Sequence, residues 1–291
     1  MAGAFEEPGS HQLRLQWAGL DRHALLYVPA GMSTDAWPVV LMLHGAGGTS
    51  PWMLLETRWN EEAEREKFVV VLPDATLPQP DMPLQFFKNP RVWNDGSGLP
   101  PASWVQADDV GFLRALLNEL PKHLPVDRAR IYVTGFSNGA SMAFRIGLEL
   151  SEHIAAIAPV AGYCWQRGPN PKRTVPALYL VGDKDPLVPL DGGTVETPWG
   201  KRVNKPPVRD TLARWATLSR GPSDPPDVKL ENLYTVARFG PMLEARIIAG
   251  LGHHWPGGYG GLSERIAGPY LARVNATKTI WEFFREKNLN S

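Results

Sequence analysis

Gly135-Phe136-Ser137-Asn138-Gly139 has the spacing G-x-S-x-G. It follows a β-rich run at residues 129–134 and opens a helix-favouring run at 138–150. In that context the five residues read as a sharp strand-to-helix turn that presents a serine hydroxyl. Such a turn forces the serine into a strained backbone conformation, and the two glycines leave room for it. It also sets Ser137 at a helix N-terminus, where backbone N–H groups favour a developing negative charge. The chemistry implied is nucleophilic attack on an acyl carbon. A plain glycine-containing turn with a serine helix cap gives the same letters; the strand before and the helix after favour the reactive reading.

A hydroxyl nucleophile needs a base, and the base needs an acid that orients it. After Ser137, an apolar run at 177–181 ends in Gly182-Asp183-Lys184-Asp185-Pro186. A later run at 244–249 ends in Gly250-Leu251-Gly252-His253-His254-Trp255-Pro256-Gly257. Nucleophile, acid and histidine therefore occur in the chain order of an α/β hydrolase, each after a strand. From position alone the acid is Asp183 or Asp185, and the base is His253 or His254. His11, His23, His123 and His153 have no motif around them and read as packed or surface residues. An early strand ends in His44-Gly45-Ala46-Gly47-Gly48. Its backbone can approach a substrate oxyanion, with the Ala46 and Asn138 amides as the expected donors.

These segments need a frame. Residues 38–43 and 68–72 are unbroken apolar runs, as in strands buried on both faces of a parallel sheet. Residues 12–28 read as two strands around a turn at Gly19-Leu20-Asp21. Charged residues 60–67 favour a helix. Val110, Leu113, Leu117 and Leu120 form one helical stripe within 107–120. Further strands are expected at 154–160, 177–181 and 244–249, and further helices near 208–218 and over 276–287. Strands alternating with helices give an α/β class with a mostly parallel central sheet flanked by helices. Residues 75–104, rich in Pro, Gly and aromatics, read as a long loop, residues 186–206 and 220–227 are Pro/Gly-rich again, and the stretches 75–104 and 186–227 are expected to fold over the site. They could fold as a small cap, but no composition shift marks a second domain, so residues 1–291 are expected to form one.

Composition narrows the partners. Lys plus Arg and Asp plus Glu are 30 each, for a formal charge of zero. Such a balance argues against nucleic acid or an anionic membrane surface as the main partner. One cysteine excludes an internal disulfide and a Cys-rich zinc site. No metal or organic cofactor is implied. No apolar run reaches transmembrane length and no signal-peptide pattern is visible at the start, so a soluble protein is expected. The sequon Asn275-Ala276-Thr277 has a high rate of chance occurrence. Neutral charge gives no guide to oligomeric state.

The run from Val126 through Gly139 to Ala143 resembles the elbow region of the polyhydroxybutyrate depolymerase and feruloyl esterase-like family. So do Leu43-His44-Gly45, Trp93-Asn94-Asp95-Gly96, Asp108-Asp109-Val110-Gly111-Phe112-Leu113 and the Gly252–Gly257 segment. The likeness spans about residues 12–287, and G-x-G-H-x-W-P-G is its most specific piece. It implies an α/β-hydrolase fold and a triad of Ser137, Asp185 and His253, leaving Asp183 as a neighbour. This chain has Ala46 where relatives often carry Cys, and it lacks the paired cysteines of many secreted members. Trp93 and Trp255 lie in these motifs and Trp52 follows the oxyanion loop. They are candidate substrate-binding residues, with core or loop anchoring as the other reading. Trp281 reads as packing and Cys164 as a buried apolar residue. The implied activity is carboxylic ester hydrolysis through an acyl-enzyme. Feruloyl or other hydroxycinnamate esters, short acyl esters, or hydroxyalkanoate oligomers are the implied substrates. A serine peptidase and a non-catalytic binding protein on the same scaffold are the alternatives from other classes.

Overall fold

A computed structural model describes residues 5, 7–32, 35–168, 170–219 and 226–290. The strands are β1 (Gly9–Trp17), β2 (Leu20–Val28), β3 (Trp37–Leu43), β4 (Val69–Pro73), β5 (Val126–Phe136) and β6 (Ala156–Val160). They continue with β7 (Ala177–Gly182), β8 (Gly193–Glu196), β9 (Arg202–Lys205), β10 (Asp227–Glu231), β11 (Tyr234–Phe239) and β12 (Leu243–Ile248). The helices are α1 (Ser50–Thr57), α2 (Trp59–Glu66), α3 (Asp109–Glu119), α4 (Asn138–Glu149), α5 (Val208–Leu218), α6 (Glu264–Ala267) and α7 (Ala276–Phe284).

Among the described residues, ten strands make one sheet in the order β1-β2-β4-β3-β5-β6-β7-β12-β11-β10. The central strands from β4 to β12 are parallel, and an antiparallel pair extends each edge. Burial explains the two kinds of sequence. Every residue of β3, β4, β6 and β7 is buried, which suits their unbroken apolar runs. In β2, by contrast, Arg22, Ala24, Leu26 and Val28 point inward and alternate with more open positions.

The chain runs from β3 to β4 on one side, then crosses back to β5 on the other. The crossing direction reverses there, which opens a crevice at the carboxyl ends of β3 and β5. Leu43 at the end of β3 is in register with Gly135 near the end of β5. The His44 loop and Ser137 therefore emerge side by side.

Several elements escape a reading based on periodicity. Helix α1 is short and lacks an apolar stripe, although Thr49 caps it by accepting from the Trp52 amide and Pro51 stands in its first turn. The β8–β9 hairpin is only four residues a side, within a stretch read as loop. Strand β10 is exposed throughout, so its sequence carries no burial pattern. The loop over 75–104 is pinned by isolated bridges Thr76–Val92 and Gln85–Asn89. Of the stretch 186–227, residues 220–225 lie outside the described residues. Among the described residues no helix is long and apolar enough to cross a membrane.

Candidate active site

Ser137 sits between β5 and α4 with φ 57° and ψ −117°. That conformation is costly for a residue with a side chain and persists because the surroundings fix it. The Ser137 amide donates to Val160 O of β6 at 2.9 Å. A Cβ on Gly135 would overlap the Gly139 carbonyl, and one on Gly139 would overlap the carbonyls of Leu43 and His44. Both glycines are needed for close approach: α4 starts directly against the end of β3.

Asp185 and His253 come from the loops after β7 and β12. His253 Nε2 lies 2.9 Å from Ser137 Oγ, and its Nδ1 lies 2.7 Å from Asp185 Oδ2. With the proton on Nδ1, donating to the carboxylate, Nε2 is left to accept from the serine hydroxyl. The other oxygen of Asp185 accepts from the amides of Leu187 and Val188, both at 2.8 Å. Those bonds fix the direction in which the carboxylate points. The Phe136 ring lies 4.8 Å from the imidazole and covers it.

The alternatives left open by spacing separate cleanly. Asp183 accepts from the Gly250 amide at 2.7 Å, away from the imidazole. His254 Nε2 is 2.9 Å from the Gly268 carbonyl.

His44 anchors the early glycine loop. Its Nε2 accepts from the Ala75 amide at 3.0 Å, and its Nδ1 lies 2.7 Å from Gly45 O. Burial pushes its pKa below the ordinary histidine value, against the pull of Asp74, so the ring is neutral. The Ala46 and Asn138 amides make no hydrogen bond among the described residues. They flank Ser137 at the end of β3 and the start of α4. Donors so placed are free to meet a negative oxygen.

Trp93 and Trp255 depart from the substrate-binding expectation. Both are buried, at 0% and 1% exposure, and neither lines the cavity at Ser137. Each indole N–H is used structurally: Trp93 donates to His44 O at 2.9 Å and Trp255 to Thr277 Oγ1 at 3.0 Å. A large ring with a satisfied polar end is an anchor. Trp52 does line the cavity.

The Trp93 segment is held from several sides. The Asn138 side chain accepts from Trp93 N at 2.8 Å and donates to Trp93 O at 3.1 Å and to Asp95 Oδ2 at 2.8 Å. Asp109 accepts from Asn94 N at 2.7 Å while paired with buried Arg22 at 2.7 Å. Arg145 donates to Asn94 O at 2.6 Å. Burial pushes the Asp95 and Asp109 carboxyls above the ordinary range, with these hydrogen bonds and charges acting the other way.

A cavity of about 340 Å³ opens on Ser137 and His253. Trp52, Phe86, Tyr163, Trp165, Trp199 and Lys205 are among its walls. All but Trp52 were missed from sequence. Trp199 sits at the tip of the β8–β9 hairpin, stacks on Phe86 at 5.5 Å and donates to Phe86 O at 2.7 Å. The hairpin thus brings its aromatic tip against the 75–104 loop. The Pro198-Trp199-Gly200 turn between Val195 and Val203 was the available signal.

The description "phospholipase/carboxylesterase" belongs to a family model that matches residues 30–212. A putative esterase NocK from Nocardia uniformis subsp. tsuyamanensis is 27% identical over 84% of this chain and 73% of its own. Feruloyl esterase B from Piromyces equi is 30% identical over 46% of this chain, which spans only 25% of that protein. Poly(3-hydroxyalkanoate) depolymerase C from Paucimonas lemoignei is 24% identical over 89% of this chain and 65% of its own. Among solved structures, acetyl xylan esterase from Aspergillus awamori superposes with a TM-score of 0.59 at 16% identity, over 84% of this chain and 94% of that one, a likeness of fold. The family match covers well over half of the chain, including β3 to β7 and Ser137, and the protein accordingly belongs to the phospholipase/carboxylesterase family, has the α/β-hydrolase fold and is an esterase.

Proposed function

We propose that the protein hydrolyses carboxylic esters through an acyl-enzyme on Ser137, with His253 as base and acid and Asp185 as its orienting carboxylate. The observation that carries this is the continuous chain Ser137 Oγ, His253 Nε2, His253 Nδ1, Asp185 Oδ2, at 2.9 and 2.7 Å, facing one cavity.

Ser137 Oγ attacks the ester carbonyl carbon while its proton passes to His253 Nε2. The resulting oxyanion is stabilised by the Ala46 and Asn138 amides; removing one such donor typically costs about 10²–10³ in rate. The C–O bond to the alcohol breaks, and the alcohol leaves with the proton held on His253. Water then attacks the acyl-enzyme, giving its proton to His253, and the acid departs as Ser137 regains a proton. No cofactor or metal enters this cycle. The chain works as one catalytic domain, with the 75–104 loop and the 186–206 stretch framing the cavity.

The apolar, aromatic wall suits feruloyl-type or short acyl esters. Hydroxyalkanoate oligoesters are the second reading, favoured by the charged Lys205 in that wall. The test is direct. Ser137→Ala should lose turnover of p-nitrophenyl esters, and a serine-directed phosphonate should label Ser137 alone. Retained turnover, or label on another residue, overturns the assignment.

A further inference from the structure

Lys205, the last residue of β9, turns its ammonium into the cavity that holds Ser137. It is partly buried, and Nζ lies 5.3 Å from the ring centroids of both Tyr163 and Trp165. Among the described residues its ammonium makes no ion pair or hydrogen bond. Two aromatic faces attract a cation but do not replace a counterion or water. Long lysines in such positions ordinarily snorkel to solvent or pair with a carboxylate.

The carboxylates nearest in charge are Asp95 and Asp185, and both are otherwise engaged. Asp185 accepts from Leu187 N, Val188 N and His253. Asp95 accepts from Ser97 N at 2.9 Å and from Asn138 Nδ2 at 2.8 Å, and burial favours its neutral form. Burial pulls the Lys205 pKa below the ordinary lysine value, while Asp95 and Asp185 act the other way. No other lysine or arginine lines this cavity among the described residues. An ammonium held over two aromatic faces in the same cavity as a candidate nucleophile, without a partner from the chain, is an incomplete pair.

We propose that Lys205 receives a carboxylate carried by the substrate, so that the protein selects anionic esters over neutral ones. This rests on reading Ser137 as the nucleophile. A linear hydroxyacid oligoester carries such a group at its acid end, whereas a simple acyl ester does not. The charge can sit on the acyl part or on the alcohol part, and both place the same carboxylate on Lys205.

Two matched pairs separate these sources. For the acyl side, p-nitrophenyl hydrogen glutarate is compared with p-nitrophenyl valerate. For the alcohol side, 3-acetoxybutyrate is compared with 3-acetoxybutyramide. In at least one pair the wild type should favour the anionic ester in kcat/KM by about tenfold or more, mainly through KM, and Lys205→Met should erase that ratio. Lys205→Arg should retain part of it. Equal rates within both pairs, or a ratio unchanged in Lys205→Met, overturn the proposal. A parallel titration of Ser137→Ala with glutarate, read by tryptophan fluorescence, keeps the two readings apart. Lys205-dependent binding with no wild-type turnover of any ester sinks the Ser137 assignment and supports the carboxylate site. Turnover without anionic preference does the reverse.

Discussion

The Trp93 indole Nε1 donates to the backbone carbonyl of His44 at 2.9 Å. The same residue is tied at its amide and carbonyl to the Asn138 side chain. Trp93 is thus a strut between the two segments that carry the proposed oxyanion donors, Ala46 after β3 and Asn138 at the start of α4. A donor pair of this kind works only when it is held in place before charge develops.

Trp93→Phe keeps the buried ring and removes the N–H. The His44 carbonyl is then left buried without a donor, at a cost of about 1–3 kcal/mol. We expect kcat to fall about tenfold or more with KM nearly constant, since the loss falls on the transition state. Steady-state kinetics with a p-nitrophenyl ester, alongside thermal unfolding, provides the check. A change confined to KM, or to stability alone, would mean the strut does not position the amides.

Local chemistry was legible in the sequence where one short segment carried its own geometry. The turn around Ser137 requires Gly135 and Gly139, and their requirement is written within five residues. The choice of His253 over His254, and of Asp185 over Asp183, rested on family resemblance, because adjacent residues share the same strand end. Trp93 and Trp255 illustrate the limit: motif membership marked them, yet only tertiary contacts show that their N–H groups face His44 and Thr277. Phe86 and Trp199 meet across 113 positions of sequence, and no local pattern encodes that contact. Strand β10 was silent because nothing in it is buried.

The two aspartates after β7 give an internal control. Asp185 is buried against His253, while Asp183 bonds the Gly250 amide and its side chain is 31% exposed. Asp185→Asn should lower kcat by about 10³–10⁴, because an amide no longer holds the imidazole tautomer. Asp183→Asn should stay within about threefold of wild type, as expected for a surface substitution. Comparable losses in the two variants would contradict the assignment of the acid.

Cys164 is the one cysteine and is fully buried. Burial pushes its thiol up to about 12, so the nucleophilic thiolate is scarce at neutral pH. The native protein should therefore resist a disulfide reagent at pH near 8 and keep its esterase turnover after thiol alkylation. Denaturation should release one titratable thiol. Rapid native labelling accompanied by loss of turnover would reopen a role for this residue.

His44 gives a pH signature with a defined sign. Its folded pKa lies below the ordinary value of 6.5 because it is buried. Below about pH 6.5 the unfolded chain gains a proton there and the native chain does not, so His44 contributes a loss of stability as pH falls. Asp95 and Asp109, whose carboxyls burial raises, act oppositely: the native state keeps their protons above 3.8, and their contribution weakens as pH rises. The net curve mixes both, but His44→Gln removes only the first. Denaturant unfolding between pH 5 and 7 should therefore show a steeper acid loss in wild type than in His44→Gln. The slopes should differ by up to about 1.4 kcal/mol per pH unit, the limit for one proton. Parallel curves would mean that His44 takes up a proton in the folded protein, and the neutral anchor of the glycine loop would have to be abandoned.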